Sequence, residues 1–251
     1  MTQVEVIVHP DADSLAAAVA ARLITKVIDA QAARGTASVV LTGGRMGARS
    51  QSAVLACPAS AAVNWSAVDF FWGDERFLPS GHPDRNQTQA QEAFLSPIGA
   101  MADRIHAMPA SNGRWGDDVE AAAAGHAEEL AILAGVGARV PRFDVLMLGV
   151  GPDAHVASLF PGFPQTRVTS ATVVPVTGSP KPPPVRISYS FPAIAAAEEV
   201  WLVAAGAEKA AALAEALAPG ADPTRFPAAG ARGRRRILAL IDRSAATGLA
   251  H

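Results

Sequence analysis

Apolar and polar positions along the chain alternate between two periods, and the alternation predicts strands separated by helices. Val4–Val8 alternates apolar with polar, as a half-buried strand does. Leu15, Val19, Leu23 and Val27 then recur at helical spacing. Asp11 or Asp13 is placed to cap that helix, and Gly35 to end it. Short apolar runs at Ala37–Leu41, Val68–Trp72, Phe143–Leu148, Val200–Ala204 and Ile237–Ile241 read as buried strands. Ile105–Met108, Val173–Val176 and Val185–Ser190 read as further short strands. Helices are predicted from Asn86 to about Leu95, from Asp117 or Asp118 to about Leu133, over Glu208–Leu217, and briefly at the end of the chain. Strands alternating with helices imply an α/β fold: a doubly wound, mostly parallel sheet with helices on both faces. No repeat or long linker divides the sequence, so one domain over residues 1–251 is expected.

Composition narrows the class. Of 251 residues, 50% are hydrophobic and 18% charged, a globular balance, and the formal net charge of −2 gives no bulk basic field for nucleic acid. The cluster Arg232, Arg234, Arg235 and Arg236 reads as a solvated turn. Cys57 is the sole cysteine and reads as a small core residue. It forms no internal disulfide and no thiolate metal site. No signal peptide or long apolar span is read in the chain, so a cytoplasmic location with no membrane partner is expected.

Four polar stretches stand where buried strands are predicted to end, the edge at which open parallel sheets bind ligands. Thr42-Gly43-Gly44 joins a strand to a helix. Its glycines allow a close anion approach, and the free helix amides point at the anion. The competing reading is an ordinary turn. "GDER" carries Asp74, Glu75 and Arg76 between aromatic runs, which demands partners for the charges. It is read either as a structural ion pair or as a site wall, with Arg76 facing an anionic or oxygen-rich ligand. "GPDAH" brings Gly151, Asp153 and His155 to the end of the clearest strand. Imidazole ordinarily titrates near neutral pH, which makes His155 the candidate base. A capping or core histidine is the alternative. "GAEK" places Lys209 in the first turn of a helix, where a cation opposes the helix dipole. Only two other lysines exist, Lys26 and Lys181. Arg186, opening a strand after the proline-rich loop, is a further cation candidate. The loop around Lys181 reads as a surface turn, and Ser158, without nucleophile-elbow glycines, as structural. No second His, Asp or Glu stands at metal-ligand spacing from His155.

"LTGG", "FFWGDERFLP", "DVLMLGVGPDAHVASLFPG", "SPKPPPVRISYS" and "GAEKAAAL", in this order over nearly the whole chain, resemble the 6-phosphogluconolactonases. The resemblance implies a doubly wound fold shared with glucosamine-6-phosphate deaminases and ribose-5-phosphate isomerases. It implies hydrolysis of 6-phospho-D-glucono-1,5-lactone without a metal or organic cofactor, and His155 as the catalytic histidine. The substrate phosphate would lie on Thr42–Gly44, neutralised by Lys209 and Arg186. Asp153 would orient His155 or contact sugar hydroxyls, and Glu75 would hold Arg76. Arg76 or backbone amides of 149–154 would supply the oxyanion donors. A monomer or weak homo-oligomer is expected.

Two positions depart from the family pattern. Ala154 stands where glycine is usual, and a positive φ there would cost about 1 kcal/mol or more. Arg45 follows Gly44 where Ser or Thr is usual. Two other functions occur on this fold. Deaminases typically carry an aromatic residue after the Asp-Glu pair, where this chain has Arg76. Sugar-phosphate sensors carry a DNA-binding domain ahead of the fold, and the first strand here is expected from about residue 4.

Overall fold

The apolar run predicted at 143–148 becomes a central strand of a parallel sheet. A computed structural model of the chain describes residues 3–249. In chain order its main elements are β1 (Val4–His9), α1 (Ala12–Arg34), β2 (Ala37–Leu41), α2 (Gly44–Ala56), β3 (Val68–Trp72), β4 (Asp74–Arg76), α3 (Asn86–Ala90) and α4 (Val119–Ala134). There follow β5 (Val145–Gly149), β6 (Val173–Val176), β7 (Arg186–Tyr189), α5 (Phe191–Ile194), β8 (Glu199–Ala204), α6 (Ala210–Leu217) and β9 (Arg236–Asp242). Six strands pair in the order β1-β9-β8-β5-β2-β3, all parallel.

Both faces of this sheet are covered, and the period of two decides which core each residue enters. Val145 and Met147 of β5 pack with α1 residues Leu15, Val19, Leu23 and Val27. Leu146 and Leu148 join α4 and α6 on the opposite face. The chain resolves the capping alternatives locally. Asp11 caps α1, accepting the Ser14 amide at 2.7 Å, and Gly35 ends it with φ 79°. Asp118 caps α4 through the Ala121 amide at 2.9 Å.

Several expectations are corrected. The strands predicted near 174 and 187 do not join the main sheet. With β4 they form a separate antiparallel sheet, β4-β7-β6. "GDER" therefore opens a strand of this second sheet, one residue after β3 ends. Ile105–Met108 makes one bridge to Phe70 and no strand. There the Arg104 and His106 side chains both turn to Asp69, and Pro109 follows. The predicted helix 86–95 is α-helical only to Ala90 and widens into a π turn at Gln91–Leu95. The last helix starts late: Ala207–Lys209 is a tight 3₁₀ turn, and α6 begins at Ala210. Residues 243–248 form turns where a terminal helix was expected, its last two residues falling outside the described ones. Asp242 accepts the Ala245 amide, and Gly248 packs close against the Ala210 carbonyl. β1 is a sheet edge with Val6 and Val8 exposed. Cys57 is only half-buried, at the end of α2.

Candidate active site

Strand order reverses between β2 and β5: β2 leads outward to β3, and β5 leads the other way to β8 and β9. A crevice opens at such a switch point, beyond the carboxyl ends of the strands. Here the Gly149 amide, ending β5, donates to Thr42 Oγ1, just past β2, at 3.0 Å. The hydroxyl hydrogen of Thr42 is thereby left to donate elsewhere. Gly43 has no room for a side chain, because a Cβ would meet Asn86 Oδ1 at 2.0 Å. Gly44 has φ 76°. No side chain caps α2, so its first-turn amides are available to an anion.

The turn after β5 delivers the histidine. The Gly151 amide donates to the His155 carbonyl at 2.9 Å, and the Ala154 amide to the Gly151 carbonyl at 3.0 Å. His155 Nδ1 lies 2.5 Å from Asp153 Oδ1. A Cβ on Gly151 would sit 1.9 Å from that nitrogen, so only glycine admits the pair. Burial alone would raise the Asp153 carboxyl, but the hydrogen bond and charge of His155, with Lys181 adding, hold it at about 2. An ionised acceptor at Nδ1 fixes the proton there and leaves the lone pair on Nε2. The ring packs against Phe160, centroids 4.7 Å apart.

Ala154 does adopt the left-handed conformation, φ 64°. This costs an L-residue about 1–2 kcal/mol. Its methyl is 0% exposed in the core, and such burial returns about 0.8 kcal/mol. Glycine would in addition lose about 0.5–1 kcal/mol of chain entropy. The two nearly cancel, which accounts physically for alanine at this position.

The "GDER" charges separate. Glu75, 1% exposed, faces away from the cavity. It accepts the amides of Arg76 and Asn86 at 2.8 and 2.7 Å and of Gln87 at 2.8 Å, and lies 3.9 Å from Arg85. Burial pushes its carboxyl up, while Arg85 and these amides oppose the rise. The expectation that Glu75 holds the Arg76 side chain, or touches ligand, is thus corrected: its cationic partner is Arg85. The fully buried Arg85 directs Nη1 to the Arg76, Leu78 and Pro109 carbonyls and Nη2 to the Met108 carbonyl, while its Nε has no partner among the described residues. Arg76 and Asp74 line the cavity. Arg76 donates to the Asp84 carbonyl, and Asp74 accepts the Ser158 hydroxyl at 2.6 Å.

The loop near Lys181 is more than a surface turn. Arg186 donates to the Lys181 and Pro183 carbonyls at 2.9 and 3.2 Å and lies over the Phe160 ring. This clamp folds the loop inward and brings Lys181 Nζ to 3.5 Å from His155 Nδ1. Lys209 reaches the same cavity from the start of α6. Burial lowers both ammonium groups, and Lys181 lowers Lys209 further.

Thr42, Gly43, Gly44, Asp74, Arg76, Gly151, His155, Arg186 and Lys209, all singled out from the sequence, line one cavity of about 1130 Å³. Asp153 stands beside it, behind His155. The sequence reading missed Lys181, Asn86 and Arg85. The rarity of lysine was a usable signal for the first; nothing local marked the other two. Among the described residues no three His, Cys, Asp or Glu side chains gather as a metal site would require.

The model of the family described as glucosamine-6-phosphate isomerases/6-phosphogluconolactonase matches residues 10–239. A 6-phosphogluconolactonase of Streptomyces coelicolor is 58% identical over 247 residues, 98% of this chain and 94% of its own. One of Mycobacterium tuberculosis is 45% identical over 244 residues, 96% of this chain and 97% of its own. The solved 6-phosphogluconolactonase of Trypanosoma brucei superposes with a TM-score of 0.86 at 28% identity, covering 100% of both chains. With this coverage and this sheet, the chain belongs to the glucosamine-6-phosphate isomerase/6-phosphogluconolactonase family.

Proposed function

We propose that this protein hydrolyses 6-phospho-D-glucono-1,5-lactone to 6-phospho-D-gluconate, in the oxidative pentose phosphate pathway. The observation that carries the reading is His155, its Nδ1 held by Asp153, in the same cavity as an uncapped, glycine-lined helix start and Lys209. The phosphate lies on Thr42–Gly44 and the α2 amides, neutralised by Lys209. The lactone carbonyl then faces His155. Water attacks C1 as Nε2 takes its proton. The tetrahedral intermediate collapses, the C1–ring-oxygen bond breaks, and His155 returns the proton to the ring oxygen. The acid so formed ionises in solution.

The developing oxyanion needs donors. The amides of Gly149, Gly151 and Ala154 are already engaged. Arg76 and Lys181, both cationic and in the cavity wall, take that role. Arg186 acts chiefly by holding the Lys181 loop and by pairing with Asp74, 3.9 Å away. The same reading makes the protein a cytoplasmic, one-domain enzyme, a monomer or weak homo-oligomer. Its partner is a small sugar-phosphate lactone, with no nucleic acid, membrane, metal or organic cofactor.

The test is hydrolysis of freshly generated lactone by wild type and His155→Ala. The variant should lose about 10²–10⁴ in kcat while still binding 6-phosphogluconate. Full activity in the variant would remove His155 from the mechanism. Ammonia release from glucosamine 6-phosphate by the wild type would favour the deaminase reading.

A further inference from the structure

Arg45 directly follows the Gly43–Gly44 turn, in the first turn of α2, and lines the same cavity. A cation there opposes the helix dipole, so it does nothing for the helix itself. Its guanidinium Nη2 lies 2.8 Å from Glu208 Oε1, the residue just before Lys209. The pair therefore bridges the two halves of the proposed phosphate site. The Glu208 carboxylate folds back over Gly206, where a Cβ would meet Oε2 at 2.3 Å. Gly206, with φ 106°, provides both the turn and the space. Side-chain exposures of 86% for Arg45 and 49% for Glu208 make the pair readily exchangeable. Both charges of the pair reach the site: after burial and Lys181, which lower the Lys209 ammonium, Glu208 raises it and Arg45 lowers it.

We propose that Arg45 recruits the substrate phosphate and that Glu208 holds it in reserve, its carboxylate occupying the guanidinium until the phosphate displaces it. This rests on the reading that Thr42–Gly44 and Lys209 receive the phosphate. A dianionic phosphate offers Arg45 stronger charge-assisted hydrogen bonds than an exposed carboxylate does. Binding of a phosphorylated ligand thus exchanges one ion pair for a better one. An unphosphorylated lactone would have nothing to offer Arg45, so the pair also favours phosphorylated over neutral lactones.

Arg49, one turn along α2, supplies a control. It lines the cavity too but pairs with Asp13, at 3.2 Å, and not with Glu208. The experiment compares Arg45→Ser, Glu208→Gln, the double variant and Arg49→Ser. It measures kinetics on fresh lactone and calorimetric binding of 6-phosphogluconate and of inorganic phosphate. Arg45→Ser should raise KM and weaken both ligands about three- to tenfold, with kcat within about twofold. Glu208→Gln should tighten binding about two- to fivefold, and that gain should vanish when Arg45 is Ser. Arg49→Ser should change binding by less than about twofold. Unchanged binding in Arg45→Ser, an equal loss in Arg49→Ser, or a Glu208→Gln gain that survives without Arg45 would each overturn the proposal. Wild type inert toward the lactone would reject the lactonase reading alone, because the inorganic-phosphate measurements test Arg45 either way.

Discussion

The cavity has two unlike ends. At the end proposed to handle the proton, Asp153 and His155 sit 2.5 Å apart in a turn where Gly151 tolerates no side chain. Behind the Asp74–Arg76 wall of the cavity, Glu75 and Arg85 form a buried pair whose polar atoms are almost all engaged with backbone. At the proposed phosphate end, Arg45 and Glu208 pair in the open, and α2 begins without a cap. One end is preorganised and the other is exchangeable. That contrast fits a reaction in which geometry must be ready at the carbonyl while the anion must enter and leave.

The largest test of the contrast strikes the buried support. Glu75→Ala strands Arg85 and three amides, and should cost about 3–5 kcal/mol of stability, read by denaturant unfolding. A loss under about 1 kcal/mol would show the rigid end to be less rigid than its burial implies.

Asp153→Asn comes next. It should lower kcat about 10–100-fold with little change in KM, because the Nε2 lone pair is no longer enforced. It also carries a pH signature. The folded carboxyl at about 2 lies below its ordinary 3.8, so the stability it contributes is full above 3.8 and lost as pH falls through about 2. Thermal midpoints from pH 5 to 2 should therefore fall less steeply in the variant. Parallel acid limbs would refute the coupling.

Lys209→Met probes the open end. Its ammonium is lowered below the ordinary 10.5 by burial and neighbours, so the charged form disfavours folding until pH rises toward 10.5. Without ligand, the variant should melt roughly 1–3 °C higher near neutral pH while binding 6-phosphogluconate about tenfold more weakly. A variant destabilised in the absence of ligand would mean the lysine is structural. Smallest of all, Ala154→Gly should leave stability within about 1 kcal/mol, since relief of φ strain offsets the lost methyl and the added chain entropy.

Local chemistry made much of this legible in advance. The Val145–Leu148 strand, the glycine turn after it, a cap at Asp11 or Asp13, another at Asp117 or Asp118, and the Gly35 stop are written within a few residues of where they act. His155 was legible for the same reason, as a histidine delivered by a turn at a buried strand end. Lys181 was not, because its direction depends on Arg186, which reels the proline loop back from the next strand. Local sequence pairs Glu75 with the neighbouring Arg76, but its partner is Arg85, ten residues on, across a polar loop with no periodicity to read.

By itself, then, the order of residues determined the strands, their caps and turns, and the candidate base, because these follow from period, backbone freedom and near-neighbour hydrogen bonds. Only the tertiary structure decided that β4, β6 and β7 leave the main sheet, that Lys181 turns inward, and that Arg45 meets Glu208. Those outcomes depend on which elements pack together. Contacts between residues far apart in the chain are selected by the whole core and carry no local signal.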